Sequence, residues 1–317
     1  MSNATPSRLG LVNNSGTAFD ALFLKVFSGE VLSSFQRENQ MLGMTTVRTI
    51  ANGKSAQFPV TGKISASYHT VGNEILGSAV KHNEKIINID DMLVASAFVA
   101  EMDELKNHYD VRSIYSREMG QALAKTVDQN LLQLAILASQ ASTNITTDLN
   151  GGLEITDADA NTNMDSLIAS IFEGIQRLDE NDVPDAGRYI VVNPDIYYKL
   201  ANVDKLVSRD FSSNNGDFGK GTVVAIGGVP VIKSNTAVDA FADNSSAVSG
   251  TNNTYNVDGS NHVACLFHSS AVGTVKLKDL VLETTYDPRR LGTLMTARMA
   301  VGSNILRPES AVSIKTA

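Results

Sequence analysis

Apolar positions fall into two rhythms along this chain. Val111, Tyr115, Met119, Leu123, Val127, Leu131 and Leu134 recur mostly at steps of four, the spacing that stacks side chains on one face of a helix. The stretch from Asp110 to Ser142 contains no proline and a single glycine. It predicts a helix of about thirty residues, roughly 45 Å long at ~1.5 Å per residue, with Asp110 as its N-cap. The stripe winds slowly around the axis, as suits a spine that meets different neighbours along its length. A cleaner stripe follows: Met164, Leu167, Ile168, Ile171, Phe172, Ile175 and Leu178 share one face, the pattern of a helix laid against a sheet. A third, short amphipathic helix is predicted in FDALFLKVFSGEVLSSFQ, where Leu22, Phe23, Val26, Phe27 and Val31 keep helical spacing.

The second rhythm is that of strands. Val47, Thr49 and Ile50 precede Asn52-Gly53, and Ala56, Phe58 and Val60 follow it. Asn-Gly between such runs predicts a tight hairpin, because both residues accept positive φ. KISASYHTVG and NEKIINID continue the β-like region. RYIVVNP reads as a buried strand, after which Asn193 caps a helix whose first position is Pro194, where its missing N–H costs nothing. GTVVAIGGVPVIKSN predicts two short strands around Gly227-Gly228. HVACLFHSSAVGTVKL, DLVLETTYD and LGTLMTARMAVG close the chain as alternating strands with room for a short helix. Residues 1–20 read as a polar arm, 142–163 as a polar connector and 241–261 as an exposed loop dotted with glycine. The sum is an α+β chain.

Composition narrows the class. With 317 residues, 43% of them hydrophobic and 19% charged, the chain has ample apolar material for a core and the balance of a globular protein. No run approaches the ~18–20 apolar residues that span a bilayer, and the N-terminal stretch lacks the apolar centre of a signal peptide. Cys265 is the single cysteine, so no intrachain disulfide framework is available. The net charge of −8 argues against tight, sequence-independent binding of nucleic acid across the surface.

Every local hint of catalysis fails on its own geometry. Gly53-Lys54-Ser55 resembles the end of a phosphate loop, but Arg48 occupies the position of the required earlier glycine, and Pro59 follows in a strand-like run where a helix must begin. His262, Cys265 and His268 are spaced like metal ligands, but in a strand the cysteine faces away from both histidines. Asp179, Glu180, Asp182 and Asp185 lack the ladder and closing glutamate of a calcium loop and read as an acidic helix end and turn. Gly216, Gly219 and Gly221 precede a strand, which reverses the order of a dinucleotide loop. Arg289-Arg290 reads as an ion-pair contact. No catalytic, cofactor-binding or metal-binding residue is assigned.

Several stretches resemble a known family. ALFLKVFSGEVL, GKSAQFPVTGK, NHYDVRSIYSREMGQALA, LFHSSAVGTVKLKDLVLE and LRPESAV look like the major capsid proteins of short-tailed, T-seven-like phages (autographiviruses), in order from about residue 20 to 312. VPDAGRYIVVNPDIYYKL and IGGVPVIKSN are similar, more loosely, to pieces of HK97-type shell proteins. The departures lie in the N-terminal arm, the 140–163 connector and the 205–261 stretch. The resemblance implies an HK97-type capsid fold: an N-terminal arm (1–44), an extended β-hairpin loop (45–90), a peripheral domain with the long spine helix (91–185 and 274–317) and an axial domain (186–273). It implies self-assembly into pentamers and hexamers of an icosahedral virion head, formed in the host cytoplasm with a scaffolding protein and a portal. Double-stranded DNA would be enclosed without sequence-specific contacts, and no membrane would be involved. On the extended loop, Lys54, Gln57, Phe58, Lys63 and Tyr68 are the candidates for inter-subunit contact. The nearest alternative is an encapsulin-like compartment shell. A soluble nucleotide-dependent enzyme is the alternative from another class, and it needs a phosphate loop or convergent acid–base groups.

Overall fold

The computed structural model describes residues 40–62, 64, 66–75, 77, 79–102, 111–143, 146, 150–203, 206, 216–217, 222–223, 225–246 and 252–317. The expected arm, the helix around Leu22–Val31, the cap at Asp110, Gly219, Gly221 and the contact candidate Lys63 lie outside these residues. Fourteen strands are described: β1 (Thr46–Thr49), β2 (Ser55–Thr61), β3 (His82–Asn88), β4 (Leu93–Ala100), β5 (Leu153–Thr156), β6 (Arg188–Val192), β7 (Gly216–Asp217), β8 (Thr222–Val223), β9 (Ala225–Ile226), β10 (Val229–Lys233), β11 (His262–His268), β12 (Val272–Asp287), β13 (Gly292–Ile305) and β14 (Ala311–Lys315). The helices are α1 (Val111–Gln140), α2 (Met164–Glu180), α3 (Pro194–Leu200) and α4 (Thr236–Ala240).

The chain forms two compact units. One contains residues 91–127 and 278–301, the other 40–90, 128–277 and 302–317. In the first, β4 pairs antiparallel with β13 from Leu93↔Met299 to Ala100↔Gly292, and β12 lies on the other side of β13. Met295 and Ala297 face inward from β13. Tyr286 Oη donates to Glu101 Oε2 at 2.8 Å, and Arg290 pairs with Asp287 at 3.0 Å, the ion-pair role expected of the Arg289-Arg290 turn.

The second unit is organised by a six-stranded mixed sheet in the order β5-β14-β11-β6-β10-β9. Both of its faces are covered, so β11 reads as an unbroken buried run and not as an alternation. Leu167, Ile171 and Leu178 of α2 join Ile190, Val192, Leu266, Val312 and Ile314 in one core. Cys265 and Ser313 point to the opposite face, where Ser313 Oγ accepts from Ser139 Oγ of α1 at 2.7 Å. α2 is capped by Asn163, whose side chain accepts from the amides of Asp165 and Ser166. Asn193 caps α3 above Pro194 as the sequence predicts.

Arg188, only 4% exposed, explains the acidic turn beyond α2. Its guanidinium pairs with Asp179 at 2.7 Å and Asp185 at 3.0 Å and donates to the carbonyls of Val183 and Pro184. Carboxylates spaced loosely like a calcium loop thus surround an arginine.

Five expectations need correction. Gly53 does take positive φ (117°), but the flanking runs do not pair as a hairpin. β1 runs parallel to β12, from Thr46↔Gly273 to Thr49↔Lys276, whereas β2 pairs with β3 across a loop of twenty residues, 62–81. The stretch KISASYHTVG therefore forms no strand among its described residues, since β2 already has its partner in NEKIIN. Phe172, assigned to the buried stripe of α2, is 51% exposed, because it lies at the stripe's edge. The closing runs hold no α-helix, LGTLMTARMAVG being committed to β13 by its ladder to β4, and the short helix is a single 3-10 turn beyond them, Pro308–Ser310. In the loop 241–261, Asn253, Tyr255 and Val257 are buried.

The Phe172 correction is measurable. Ile171→Ala, at a fully buried site, should cost about 2–5 kcal/mol in urea unfolding, and Phe172→Ala less than half of that. Equal losses would place Phe172 back in the core.

Candidate inter-subunit contact site

The segment singled out by the sequence is a two-stranded ribbon. Seven residue pairs, Ser55↔Asn88 to Thr61↔His82, form its ladder, and Gly62 N donating to Lys81 O at 2.8 Å closes it. Alternation gives the ribbon two unequal faces. Ala56, Val60 and Ile87 are buried within the subunit, while Gln57, Pro59, Thr61 and Ile86 are exposed. Beyond the ladder, the described residues of 62–81 form only turns and irregular chain. Near their midpoint Asn73 N donates to Thr70 O at 3.1 Å, around Gly72 at φ 96°. That positive φ at the third turn position suits glycine.

The candidates occupy different places on this frame. Lys54 is an exposed residue at the bend before β2, with its carbonyl accepting from Ile89 N at 2.9 Å. Ser55 begins a strand there, not a helix, so the GKS stretch has no phosphate-loop geometry. Gln57 is exposed, and its carbonyl accepts from Arg48 Nη1 at 2.8 Å. Phe58, on the other face, is half-buried beneath the same guanidinium, 5.7 Å from ring centre, so part of its surface is already used within the subunit. Tyr68 is fully exposed. Lys54, Gln57 and Phe58 follow one another along the ribbon, and Tyr68 lies beyond it on the loop.

Sequence reasoning missed the companions of Tyr68. Ile64, Val71 and Ile75 are 73%, 95% and 79% exposed. Their spacing with Tyr68 (steps of four, three and four) imitates a helix stripe, a signal visible in the sequence. Four large apolar side chains on one loop thus stand out into solvent, which burial against another chain would relieve.

It also missed the base of the ribbon, where the loop 252–255 grips the end of β3. Asn253 donates from its backbone N and its Nδ2 to Asp90 Oδ1, at 3.0 and 2.8 Å, and its Nδ2 also reaches Asn88 O at 2.8 Å. Asn252 Nδ2 donates to Ile89 O at 2.6 Å. Tyr255 Oη donates to Asp90 Oδ2 and accepts from Ser303 N at 3.2 Å. Burial pushes the Asp90 carboxyl above its usual range, and the bonds from Tyr255, Asn253 and the two backbone amides oppose that shift. Burial, then the neighbouring Asp90, push the Tyr255 phenol up as well. Gly302 completes the base: a Cβ there would fall 1.9 Å from Asn88 O, so no side chain fits. The lone tyrosine in TNNTYN was the available signal.

A second anchor lies where residues 40 and 41 meet α1. Asp128 is 3% exposed and accepts from the amides of Gln40 at 2.9 Å and Met41 at 3.1 Å. Burial pushes its carboxyl up to about 6, against those two hydrogen bonds.

The residues spaced like metal ligands have other occupations. His262 Nε2 lies 3.3 Å from Glu154 Oε1, whose other oxygen pairs with Lys315 at 2.8 Å. His268 meets the carbonyl of Ala186 at 3.0 Å and Ser270 Oγ at 2.8 Å. Cys265 is fully buried between them on the opposite face, and burial pushes its thiol up to about 12.

Comparison with known proteins adds identity to this geometry. Residues 57–315 match the family model described as Gp10A-like major capsid protein. The chain is similar to the major capsid protein of Enterobacteria phage T3, 33% identical with 93% of this chain and 91% of that protein covered. Among solved structures it is similar to the capsid of cyanophage P-SCSP1u, at 43% identity, TM-score 0.83 and coverage of 100% and 99% of the two chains. The mature capsid of bacteriophage PhiM1 is similar at 20% identity, TM-score 0.76 and coverage of 92% and 91%.

Asp128 yields a pH prediction. Its carboxyl titrates near 3.8 when unfolded and at about 6 when folded, so folding favours the protonated form. Its stabilising contribution is complete below about pH 4 and is lost as pH rises through about 6. Urea unfolding across this window should show stability changing less favourably with rising pH in the wild type than in Asp128→Asn. Identical slopes in both proteins would contradict the assignment.

Proposed function

Because the chain belongs to the Gp10A-like major capsid protein family, we propose that it closes an icosahedral head from pentamers and hexamers of itself, each subunit laying its 45–90 loop over the next. It is a phage major capsid protein of HK97-type fold, and it forms the head shell. The relatives at 32–33% identity are phage capsid proteins, which favours a phage head over the encapsulin-like alternative. The finer reading rests on one observation: Ile64, Tyr68, Val71 and Ile75 stand exposed on a loop carried by only two strands. Such a ribbon is marginal alone, and an apolar surface of this kind is stabilised by burial against another chain.

In this reading Tyr68 and its apolar neighbours make the contact farthest along the loop, Lys54, Gln57 and Phe58 make those along the ribbon, and Lys63 is a further contact residue. The long helix is the spine of a peripheral domain (91–185 and 274–317), and 186–273 form the axial domain around the pentamer and hexamer centres. Each contact is weak, and closure of the shell multiplies it. A scaffolding protein and a portal take part during assembly in the host cytoplasm, and the head encloses double-stranded DNA. The net charge of −8 supports a wall that does not hold that DNA tightly. The chain acts by association and carries no catalytic group.

Replacing Ile64, Tyr68, Val71 and Ile75 together by serine should leave the subunit's stability within ~1 kcal/mol, as for exposed sites generally. It should lower the yield of closed shells at least roughly tenfold, the effect expected of lost apolar anchors, measured by sedimentation and electron microscopy. Shells at undiminished yield would remove the loop from the interface.

A further inference from the structure

The ribbon β2–β3 is about 24 Å long at ~3.4 Å per residue, so a tilt of about 5° at its base moves its far end by about 2 Å. What holds the base therefore decides where the loop arrives. The base is held by a segment distant in sequence: Asn252, Asn253 and Tyr255 lie 163 to 165 residues beyond the groups that they bind. Their bonds go to three consecutive residues, Asn88, Ile89 and Asp90, at the point where β3 leaves its ladder. Two of these bonds end on backbone carbonyls, so they fix the path of the chain and not only its side chains. Tyr255 ties Asp90 to the backbone of Ser303, and Gly302 lets the Asn88 carbonyl approach where any side chain would block it.

We infer that Asn252, Asn253 and Tyr255 form a clamp that sets the angle at which the extended loop leaves the subunit, and thereby the curvature and size of the shell. This rests on the reading that a neighbouring subunit covers the loop. The three are positioning residues: none need touch the neighbour, and they act through the direction they impose on 55–88. Their polar character suits the task, since hydrogen bonds are directional whereas apolar packing alone would let the base slide. Tyr255 and Asn253 are buried, so water does not compete for their bonds.

The test compares the full-length wild type with Tyr255→Phe, which keeps the ring and removes only the hydroxyl. Hydrogen–deuterium exchange of the unassembled subunit should rise at least tenfold in 55–61 and 82–88, with unchanged exchange in α2 as the control for folding. Under conditions where the wild type closes shells of one diameter, the variant should give a broadened or shifted distribution by electron microscopy. Unchanged exchange in the ribbon, or faster exchange with shells of the wild-type diameter, overturns the inference. Should Tyr255→Phe fail to fold, Asn252→Ala, which removes a single bond from an exposed side chain, is read in the same way. The serine-substituted loop separates the two ideas. If it assembles normally the covering reading fails, and if it does not, the diameters of the Tyr255 and Asn252 variants decide the clamp.

Discussion

A ribbon of two strands cannot bury both of its faces, and the rest of this structure is arranged around that constraint. β2 and β3 bury Ala56, Val60 and Ile87 on one face and leave the other to solvent or to another chain. With so little apolar area buried, the order of the ribbon depends on its attachment. Gly302 admits the backbone of Asn88, and Gly273 leaves room for Ile87 beside Leu306. A polar loop then ties the last residues of β3 with directional bonds. The exposed apolar side chains beyond the ladder have no cover within the described residues of the subunit, which is why the proposed assembly gives them one.

The six-stranded sheet meets the opposite demand, since both faces are covered and each buried polar group needs a partner. Ser139 and Ser313 satisfy one another. Arg188 brings a full charge to within 4% of complete burial and is surrounded by two carboxylates and two carbonyls. Leaving that guanidinium unpaired would cost several kcal/mol, so the turn from Asp179 to Asp185 has its shape dictated by one side chain on the following strand. The same carboxylates viewed without Arg188 look like a cation site.

The parts legible from the sequence were those whose causes are local. The stripe from Met119 to Leu134, the cap at Asn193 with Pro194 behind it, and the buried run of β11 follow from spacing a few residues long. The illegible parts depend on partners far away. Nothing near Thr46 announces a parallel pairing with Gly273, and Asn52-Gly53 carries the strongest short-range hairpin signal in a place where no hairpin forms. Of the candidate contact site, β2 and β3 were readable as β-like runs, whereas their pairing and the base of the ribbon were not. Asn252 and Asn253 have the composition of a solvent loop, and only the carbonyls of Asn88 and Ile89 give those amides a use. Asp128 was likewise hidden among the polar residues of a helix, because its partners are backbone amides that no sequence pattern marks.

The placement of Cys265 has a consequence for the assembled particle. A shell concentrates many copies of one chain at fixed separations, so an accessible thiol on each would meet its counterparts repeatedly under oxidising conditions. Random disulfides would then lock neighbouring subunits in whatever arrangement they held at that moment. With the thiol enclosed in a central strand and pushed up to about 12, the reactive thiolate is roughly one molecule in 10^5 at neutral pH. Cys265 therefore gives neighbouring subunits no ready route to disulfides with one another.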